Sequence, residues 1–545
     1  QTVWQSFLRL GQPMVQISTT VNLHEFLREY PNAGSADASE LLRERVGDYL
    51  DRERHVVLGP TGEKQDNLFH EIIQRPAITD AVREIAQDED VDEEVIRERV
   101  RDQLEEIAAS PSMLTIKLMS SVLSFVWYRI YDGFEVDEEG LEKVREAAKS
   151  SSVVLIPSHK SHIDYLVLSY ILFNYGMIPP LIAAGVNLSF WPLGPIFRHA
   201  GAFFLRRTFK GEKLYPIVFR EYLVRQLEEG WPVEFFIEGT RSRTGKLVKP
   251  KYGMMDMVVR ALASGRIDSI KVVPISVSYE KIIEEGSYRR EVLGAEKERE
   301  SLTGLLKTPK FLTSQYGRLY VEFGEPIDLG GYLEKYDVDR IRPDDEELDA
   351  LTVRLAHRVN YDINQVTTVT PSSLAAMVLL NNTSRGVART RFLEQVGFLL
   401  HFLNSDDRSA RLSRTLREAL DEQSERLEPP RAAQRAPALA DSSGPSEPKA
   451  ERVIGDVVAN VVDEALGLFR KNDQLDERRT EESTFYSVPE ESRFELAYYR
   501  NNIIHPFVPE ALLATALRSF ASQPIELRQL MEETRFLSRL FKYEW

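Results

Sequence analysis

The 545-residue sequence contains no cysteine. That absence excludes disulfides, thiolate metal ligands and any cysteine-linked covalent intermediate, and it fits a reducing compartment. Long apolar runs are missing too, since no stretch of about 18 uncharged apolar residues occurs. The nearest ones are interrupted: Leu114–Tyr131 carries Lys117 and Arg129, and Asn187–Leu205 contains Pro192, Pro195, Arg198 and His199. Tyr165–Phe173 is only nine residues. The expectation is a chain that does not span a bilayer but is able to lie on one. The sequence begins at Gln1 rather than Met, which is compatible with a removed leader; none is present in it.

Net positive charge is also lacking. Lys and Arg number 69 against 85 Asp and Glu, a formal charge of −16. Nucleic-acid binding is disfavoured, because a duplex needs an extensive basic surface. The sign is uneven, however. Between Arg198 and Lys251 twelve Lys/Arg face six Glu, a local excess of +6. Such an island suits either a local anionic ligand or a solvated face, and charge alone does not decide.

What is present is globular: 43% hydrophobic, 10% aromatic and 28% charged residues, enough to bury a sizeable core across more than one unit. Residues 1–150 read as helical, with Val91, Val95, Ile96, Val100, Leu104 and Ile107 forming one stripe. Met113–Tyr131 suits a core helix or an interfacial one. Residues 151–330 alternate short apolar strands (Val153–Pro157, Leu181–Ala184, Gly201–Leu205, Val233–Ile237, Lys271–Val277, Arg318–Phe323) with helices (Tyr165–Tyr175, Leu214–Glu229, Gly253–Ala263). The pattern predicts an α/β domain with a largely parallel sheet flanked by helices, plus N- and C-terminal helical regions. Residues 331–427 return to helical spacing. Residues 428–452, with Pro429, Pro430, Pro437, Pro445 and Pro448, read as a disordered linker. Residues 453–545 form a second helical block.

The chemistry lies where strands end. After Val153–Pro157 comes Ser158-His159-Lys160-Ser161-His162-Ile163-Asp164, at the strand end where α/β sheets bind ligands. A carboxylate on the first helical turn is able to hold one imidazole nitrogen of His159, leaving the other as a general base. Helix capping is the plainer reading of the same spacing. A metal cluster of His159, His162 and Asp164 lacks further ligands nearby. After Val233–Ile237 comes Glu238-Gly239-Thr240-Arg241-Ser242-Arg243-Thr244-Gly245-Lys246. It fails as a nucleotide phosphate loop: five residues, not four, separate its glycines, and Leu247 stands where Ser/Thr is needed. What remains offers backbone N–H groups, hydroxyls and two arginines to an oxyanion, or is a basic surface turn. Arg206 and Arg207 follow another buried strand, and their planar forks suit phosphate. Pro274 interrupts the ladder of Lys271–Val277, predicting a bend or an edge position.

In order, His-x4-Asp, Gly-x-Phe-Phe-x-Arg-Arg, Phe-x-Glu-Gly-Thr-Arg-Ser-Arg and Val-Pro-Ile-x-x-x-Tyr resemble the glycerolipid acyltransferase superfamily. Within it the sequence is most similar to bacterial-type glycerol-3-phosphate 1-O-acyltransferases. The stretches HKSHIDYLVLSYILF, IAAGVNLSFWPLGPIFRHAGAFFLRRTFKGEKLY, VFREYL, FFIEGTRSRTGKL and VSYEKIIEEGSY carry the match. VLGPTGEKQ and YYRNNIIHPFV extend it into the helical flanks. Lys160 stands where the family commonly has Arg, and the family generally continues beyond the position of Trp545, which implies a shortened chain. Lysophosphatidate acyltransferases share the first and third motifs, but usually carry Asn where Ser158 stands here.

The resemblance implies acyl transfer from acyl-CoA or acyl-carrier protein to sn-glycerol 3-phosphate, giving lysophosphatidate. That is the first step of phospholipid synthesis, on the route to CDP-diacylglycerol. It assigns His159 as base and Asp164 as its partner. Phosphate and glycerol fall to Arg206, Arg207, Glu238, Gly239, Thr240, Arg241, Ser242 and Arg243, with Glu238 accepting from a glycerol hydroxyl. Pro274 shapes the site, no metal or cofactor is used, and the oxyanion donor stays unassigned. Phe190, Trp191, Leu193, Ile196 and Phe197 suit a membrane-facing element or a core. The implied location is the cytoplasmic side of the inner membrane, peripheral or monotopic. Dihydroxyacetone phosphate as acceptor, or a catalytically silent lipid-phosphate or acyl-CoA binding protein, are the alternatives.

Overall fold

The sheet is built around β2 (Ser152–Pro157), whose six residues are all buried. In the computed structural model, residues 23–30, 35–60, 65–206, 208–209, 211–292, 314–338, 344–382, 386–405, 410–427, 448–481, 483–520 and 524–541 are described. The other strands of the sheet are β1 (Gly133–Val136), β3 (Leu181–Gly185), β4 (Ala202–Leu205), β5 (Val233–Glu234), β6 (Ile270–Tyr279), β7 (Arg318–Phe323) and β8 (Ile327–Asp328). Their order is β1-β7-β6-β2-β5-β3-β4, with β8 beside β6. All pairings are parallel except β6 with β7 and β6 with β8, as the alternating sequence pattern predicts. β1 lies within the first 150 residues, so that stretch contributes a strand as well as helices.

Pro274 is a correction. β6 is not an edge, because β2 pairs with it on one side and β7 and β8 on the other. On that second side the partner changes from β8 at Val272 to β7 at Ile275, so a residue without an N–H sits at the changeover. Its carbonyl still accepts from the N–H of Gly324 at 2.8 Å.

Helices cover both faces. From the N-terminal region come α1 (Pro76–Glu89), α2 (Glu93–Ile107) and α3 (Met113–Ile130). The stripe is narrower than its sequence suggests: Ile96, Val100, Leu104 and Ile107 of α2 are buried, whereas Val95 and Val91, the latter ahead of the helix, are exposed. Between the strands run α4 (Asp164–Asn174), α5 (Leu193–His199), α6 (Leu214–Glu228) and α7 (Gly253–Ala263), followed by α8 (Glu285–Val292), α9 (Asp345–Gln365) and α10 (Pro371–Asn381). On one face α1, α2, α6, α7 and α9 share a core around Phe203, Phe219, Tyr222 and Leu262.

On the other face the core joins α3, α4 and α10 to the C-terminal part. That part contains α11 (Pro448–Lys471), which begins inside the expected linker; residues 428–447 of that linker lie outside the described residues. It is not purely helical. Strands β10 (Asp476–Arg479) and β11 (Thr484–Ser487) form a hairpin, and β11 also pairs with β9 (Val387–Ala388). Helix α12 (Arg493–Asn502) then packs against α10.

Phe469 of α11 is 1% exposed in the same apolar cluster as Leu155 of β2, with its ring 5.9 Å from that of Tyr499. Truncating a buried ring of this size costs about 3–5 kcal/mol. Phe469→Ala should therefore lower the main thermal transition that also unfolds the sheet. An early transition confined to the C-terminal part, with the main one unmoved, would contradict a shared core.

Candidate active site

β2 and β5 are neighbours, so the loops leaving their carboxyl ends meet although nearly eighty residues separate them. This places His159 and the 238–246 loop at one strand edge, where α/β sheets bind ligands. The first loop is stitched from within. Asp164, at the start of α4, is fully buried, and its Oδ2 accepts from the N–H groups of Lys160 at 2.7 Å and Ser161 at 2.8 Å. The same oxygen lies 3.2 Å from His159 Nδ1. Its Oδ1 accepts from the hydroxyl of Tyr279, at the end of β6, at 2.5 Å. A carboxylate can only accept, so the pair assigns the imidazole proton to Nδ1 and leaves the Nε2 lone pair unprotonated.

His159 is held from its ring face as well. The ring of Phe236 stacks on it at 3.8 Å between centroids and 23° between planes. Burial pushes the imidazole below its ordinary value; Asp164 opposes that shift, and Arg241 adds to it. The ring is therefore neutral at pH 7, the state a general base requires.

Glu238 is not placed to receive a glycerol hydroxyl. It is fully buried, and its two oxygens accept from the N–H groups of His159 and Val248, each at 2.7 Å. Burial lifts its carboxyl to about 8. Strand β5 ends at Glu234, short of the 233–237 read from sequence, although the N–H of Phe235 still donates to Leu155 O of β2 at 3.2 Å. Ser242 is likewise internal, its N–H donating to His159 O at 2.7 Å and its hydroxyl to Lys246 O at 2.6 Å.

Arg206 lines the cavity as expected, but it is also held from within the protein. Its guanidinium is held by Glu106 of α2 at 2.6 Å and Glu212 at 2.6 Å, and lies over the ring of Tyr215. Its donors are thus engaged by carboxylates of the chain itself. Arg207 lies outside the described residues. Gly239, Thr240, Arg241 and Arg243 do face the cavity together with His159 and His162. Arg241 donates to the hydroxyl of Tyr288 at 2.9 Å. Arg243 pairs with Glu291 and donates to Thr240 Oγ1 at 3.3 Å and to Arg241 O at 3.1 Å. Gly239 has φ +64°, and a Cβ there would meet the Lys251 side chain at 2.9 Å. Lys251 therefore rides over the loop into the cavity, a cation whose role the sequence reading missed.

The cavity, about 810 Å3, is two-sided. Its lining combines cationic side chains, Arg206, Arg241, Arg243 and Lys251 (the cationic rim), with apolar ones from Ile116, Met119 and Leu123 of α3, Leu166 and Phe173 of α4, and Ile182 of β3 (the apolar channel). Pro274 does not line it; it lies within the sheet, opposite Ile156 of β2. Two more unassigned residues complete the frame. The buried Glu284 accepts from Ser161 Oγ at 2.8 Å and from His162 N–H at 2.7 Å, fixing the base loop from below. Tyr279 and Glu284 were within the quoted motif stretches, but nothing in their spacing marks what they bind. Among the described residues no three His, Asp or Glu side chains converge as a metal would require.

Two family models match most of the chain. The family described as Acyltransferase matches residues 135–278, and the one described as Glycerol-3-phosphate acyltransferase C-terminal region matches 288–443 and 438–545. The glycerol-3-phosphate acyltransferase of Pasteurella multocida is 32% identical over 541 residues, covering 97% of this chain and 61% of that protein. That of Histophilus somni is 34% identical, covering 92% and 57%. The chain belongs to the glycerol-3-phosphate acyltransferase family. It spans about three fifths of the length of these curated relatives. The crystal structure of a 1-acyl-sn-glycerophosphate acyltransferase from Thermotoga maritima aligns with 46% of this chain and 79% of that one, at 18% identity and a TM-score of 0.27. In the family's terms, the matched Acyltransferase region holds His159, Asp164 and the 238–246 loop, whereas Tyr288, Glu291 and all of α12 fall in the C-terminal region.

The His159 environment has a sign that is open to measurement. Its imidazole should titrate below 6.5, and Asp164→Asn should lower the midpoint further by removing the group that opposes the shift. Histidine NMR, with His159→Gln used to assign the resonance, reads both. A midpoint above 6.5 in the unaltered protein would contradict the burial argument.

Proposed function

We propose that the protein transfers a fatty acyl group from a thioester donor to the 1-hydroxyl of sn-glycerol 3-phosphate. The observation that carries this reading is the position of one base, His159 with Asp164, where a cationic rim meets an apolar channel. His159 Nε2 takes the hydroxyl proton as the alkoxide oxygen attacks the thioester carbonyl. Asp164 holds the Nδ1 tautomer and stabilises the imidazolium. The carbon–sulfur bond then breaks, and the imidazolium returns its proton to the departing thiolate. The acyl group passes directly to the acceptor, in keeping with a chain that has no cysteine.

Arg241 and Lys251 supply the charge for the acceptor phosphate, with Arg243, paired with Glu291, beside them, and the channel under α3 and α4 takes the chain of the acyl group. Acyl-CoA and acyl-carrier protein both suit the donor role, and no cofactor is needed. Dihydroxyacetone phosphate offers the same phosphate and primary hydroxyl, so the acceptor is decided by assay. A silent binding protein is disfavoured, since binding alone does not call for an oriented base. With palmitoyl-CoA, turnover should be highest on glycerol 3-phosphate among glycerol 3-phosphate, dihydroxyacetone phosphate and 1-acylglycerol 3-phosphate. His159→Ala and Asp164→Ala should each lower kcat on the order of 100-fold or more. A folded His159→Ala variant with near-normal turnover would remove the mechanism. Arg241→Ala removes a charge-assisted contact of about 1.5–3 kcal/mol, about 10- to 150-fold in kcat/KM for glycerol 3-phosphate. A defect confined to the acyl donor would move Arg241 to the donor side.

We further propose that the protein lies on the cytoplasmic face of the inner membrane, where its lipid product enters the bilayer and phospholipid synthesis begins. The support is α3, which is apolar on two opposite sides. Ile116, Met119 and Leu123 wall the channel, while Leu114 (79%), Leu118, Val122, Phe125 and Tyr128 form an exposed stripe at helical spacing. By length and composition this 18-residue helix also meets the requirement for crossing a membrane, with a mean hydropathy of 1.2. Trp191 (83% exposed), Phe190 and Ile196 add apolar surface around the start of α5, whereas Phe197 is buried and belongs to the core. Leu118→Ser combined with Trp191→Ser should weaken binding to liposomes containing anionic lipid and leave the melting temperature nearly unchanged. Unaltered liposome binding would rule this surface out.

A further inference from the structure

The base loop and the 238–246 loop leave different strands, so their spacing depends on what ties them together. One tie is backbone: Ser242 N–H to His159 O at 2.7 Å. Another is a single side chain from outside both loops. Tyr288 of α8 is 1% exposed, and its hydroxyl donates to Lys160 O at 2.9 Å while accepting from Arg241 Nη1 at 2.9 Å. The Arg241 guanidinium also lies over the Tyr288 ring, 5.3 Å from its centroid. One phenol therefore touches the residue after the base and the arginine of the cationic rim, using its lone pair for one and its proton for the other.

Tyr288 is in turn braced by α12. Its ring packs against that of Tyr498 on α12 at 6.2 Å. The next residue, Tyr499, donates to Glu285 on the first turn of α8 at 2.7 Å, and Glu495 of α12 pairs with Arg289 at 3.3 Å. The same helix grips the 238–246 loop directly. Asn501 Nδ2 donates to Thr244 O at 2.8 Å, and Gly245, with φ +85°, lies so near α12 that a Cβ would come 2.1 Å from Tyr498 O. No other residue type fits Gly245 without moving the loop off the helix.

We infer that Tyr288 is a positioning residue that sets the distance between the base and the anion-binding arginine, and that α12 of the C-terminal region holds it there. The kinetic signature of this role rests on the acyl-transfer reading; its effect on anion affinity rests on geometry alone. The consequence is that the C-terminal region, which contributes no group to the reacting atoms, is required for the register of the catalytic loops.

The test uses the full chain carrying Tyr288→Phe, with glycerol 3-phosphate and palmitoyl-CoA titrated separately and inorganic phosphate binding followed by calorimetry. Losing a hydrogen bond to a charged group should raise the KM for glycerol 3-phosphate and the Kd for phosphate by about tenfold, and kcat should fall through the freed Lys160 carbonyl. The KM for palmitoyl-CoA should stay within about twofold, because the apolar channel is untouched. In an Arg241→Ala background, Tyr288→Phe should leave acceptor KM where it is and still lower kcat. A phenol that merely stabilised the fold would instead lower the melting temperature without this split. Wild-type phosphate Kd and kinetics in Tyr288→Phe, or effects that add in full to those of Arg241→Ala, would overturn the inference. If the unaltered protein acylates none of the three acceptors, the acyl-transfer reading fails, and the phosphate Kd alone then judges Tyr288. Should Tyr288→Phe not fold, Gly245→Ala displaces the same loop from α12 and must show the same acceptor-selective defect.

Discussion

A carboxylate with no exposure to solvent cannot stand alone. Removing Asp164 from water costs several kcal/mol, which only charge-assisted hydrogen bonds offset. It receives four: two backbone N–H groups of its own loop, His159 Nδ1–H, and the Tyr279 hydroxyl. At about 1.5–3 kcal/mol each, these are of the size the burial demands. The arrangement explains the loop's shape. Lys160 and Ser161 must turn their N–H groups inward to serve Asp164, and that turn carries the His159 ring onto the carboxylate. Loss of any one donor would leave the remainder sharing an under-compensated charge, so the imidazole is pre-oriented by the requirements of its neighbour.

The same constraint spreads outward through further carboxyls. Glu284 closes the base loop from below, and Glu238 closes it from β5. Each accepts backbone N–H groups that would otherwise be orphaned inside the protein. Burial lifts the carboxyls of Glu238 and Glu284 above their ordinary range, and it lowers the ammonium of the neighbouring buried Lys160 to about 8.

The sheet and its helices were legible because apolar runs, glycines and prolines punctuate them. Gly253–Ala263 matches its expected limits, and β2, β3, β4 and β7 differ from theirs by a residue at most. What sequence concealed was pairing across distance. Arg206 displays a fork suited to phosphate, but Glu106, a hundred residues earlier, already fills it. Pro274 reads as an edge because ladder interruptions usually are; here two short strands share one flank of β6 and meet beside it. Glu238 belongs to a run of potential ligands, yet its direction is set by His159 N–H, which no spacing rule encodes. Tyr279 and Tyr288 were visible as motif letters only. Their functions depend on which loop each hydroxyl reaches.

Helix α3 shows how fold and function share one element. An ordinary surface helix buries one apolar stripe and solvates the other side. Here Leu123 and Met119 face the channel while Leu118, Val122 and Phe125 face outward, so the wall between the channel and the outside is one helix thick. In water the outer stripe is a liability, favouring association with any apolar phase. Against a bilayer it places the channel within about 10 Å of lipid, the diameter of a helix. On the membrane-bound reading proposed above, an acyl chain in the channel lies one helix away from lipid, and Arg241, Arg243 and Lys251 line the same cavity. Around His159 one cavity thus joins cationic and apolar lining, the combination that the proposed transfer from an apolar donor to a polar acceptor calls for.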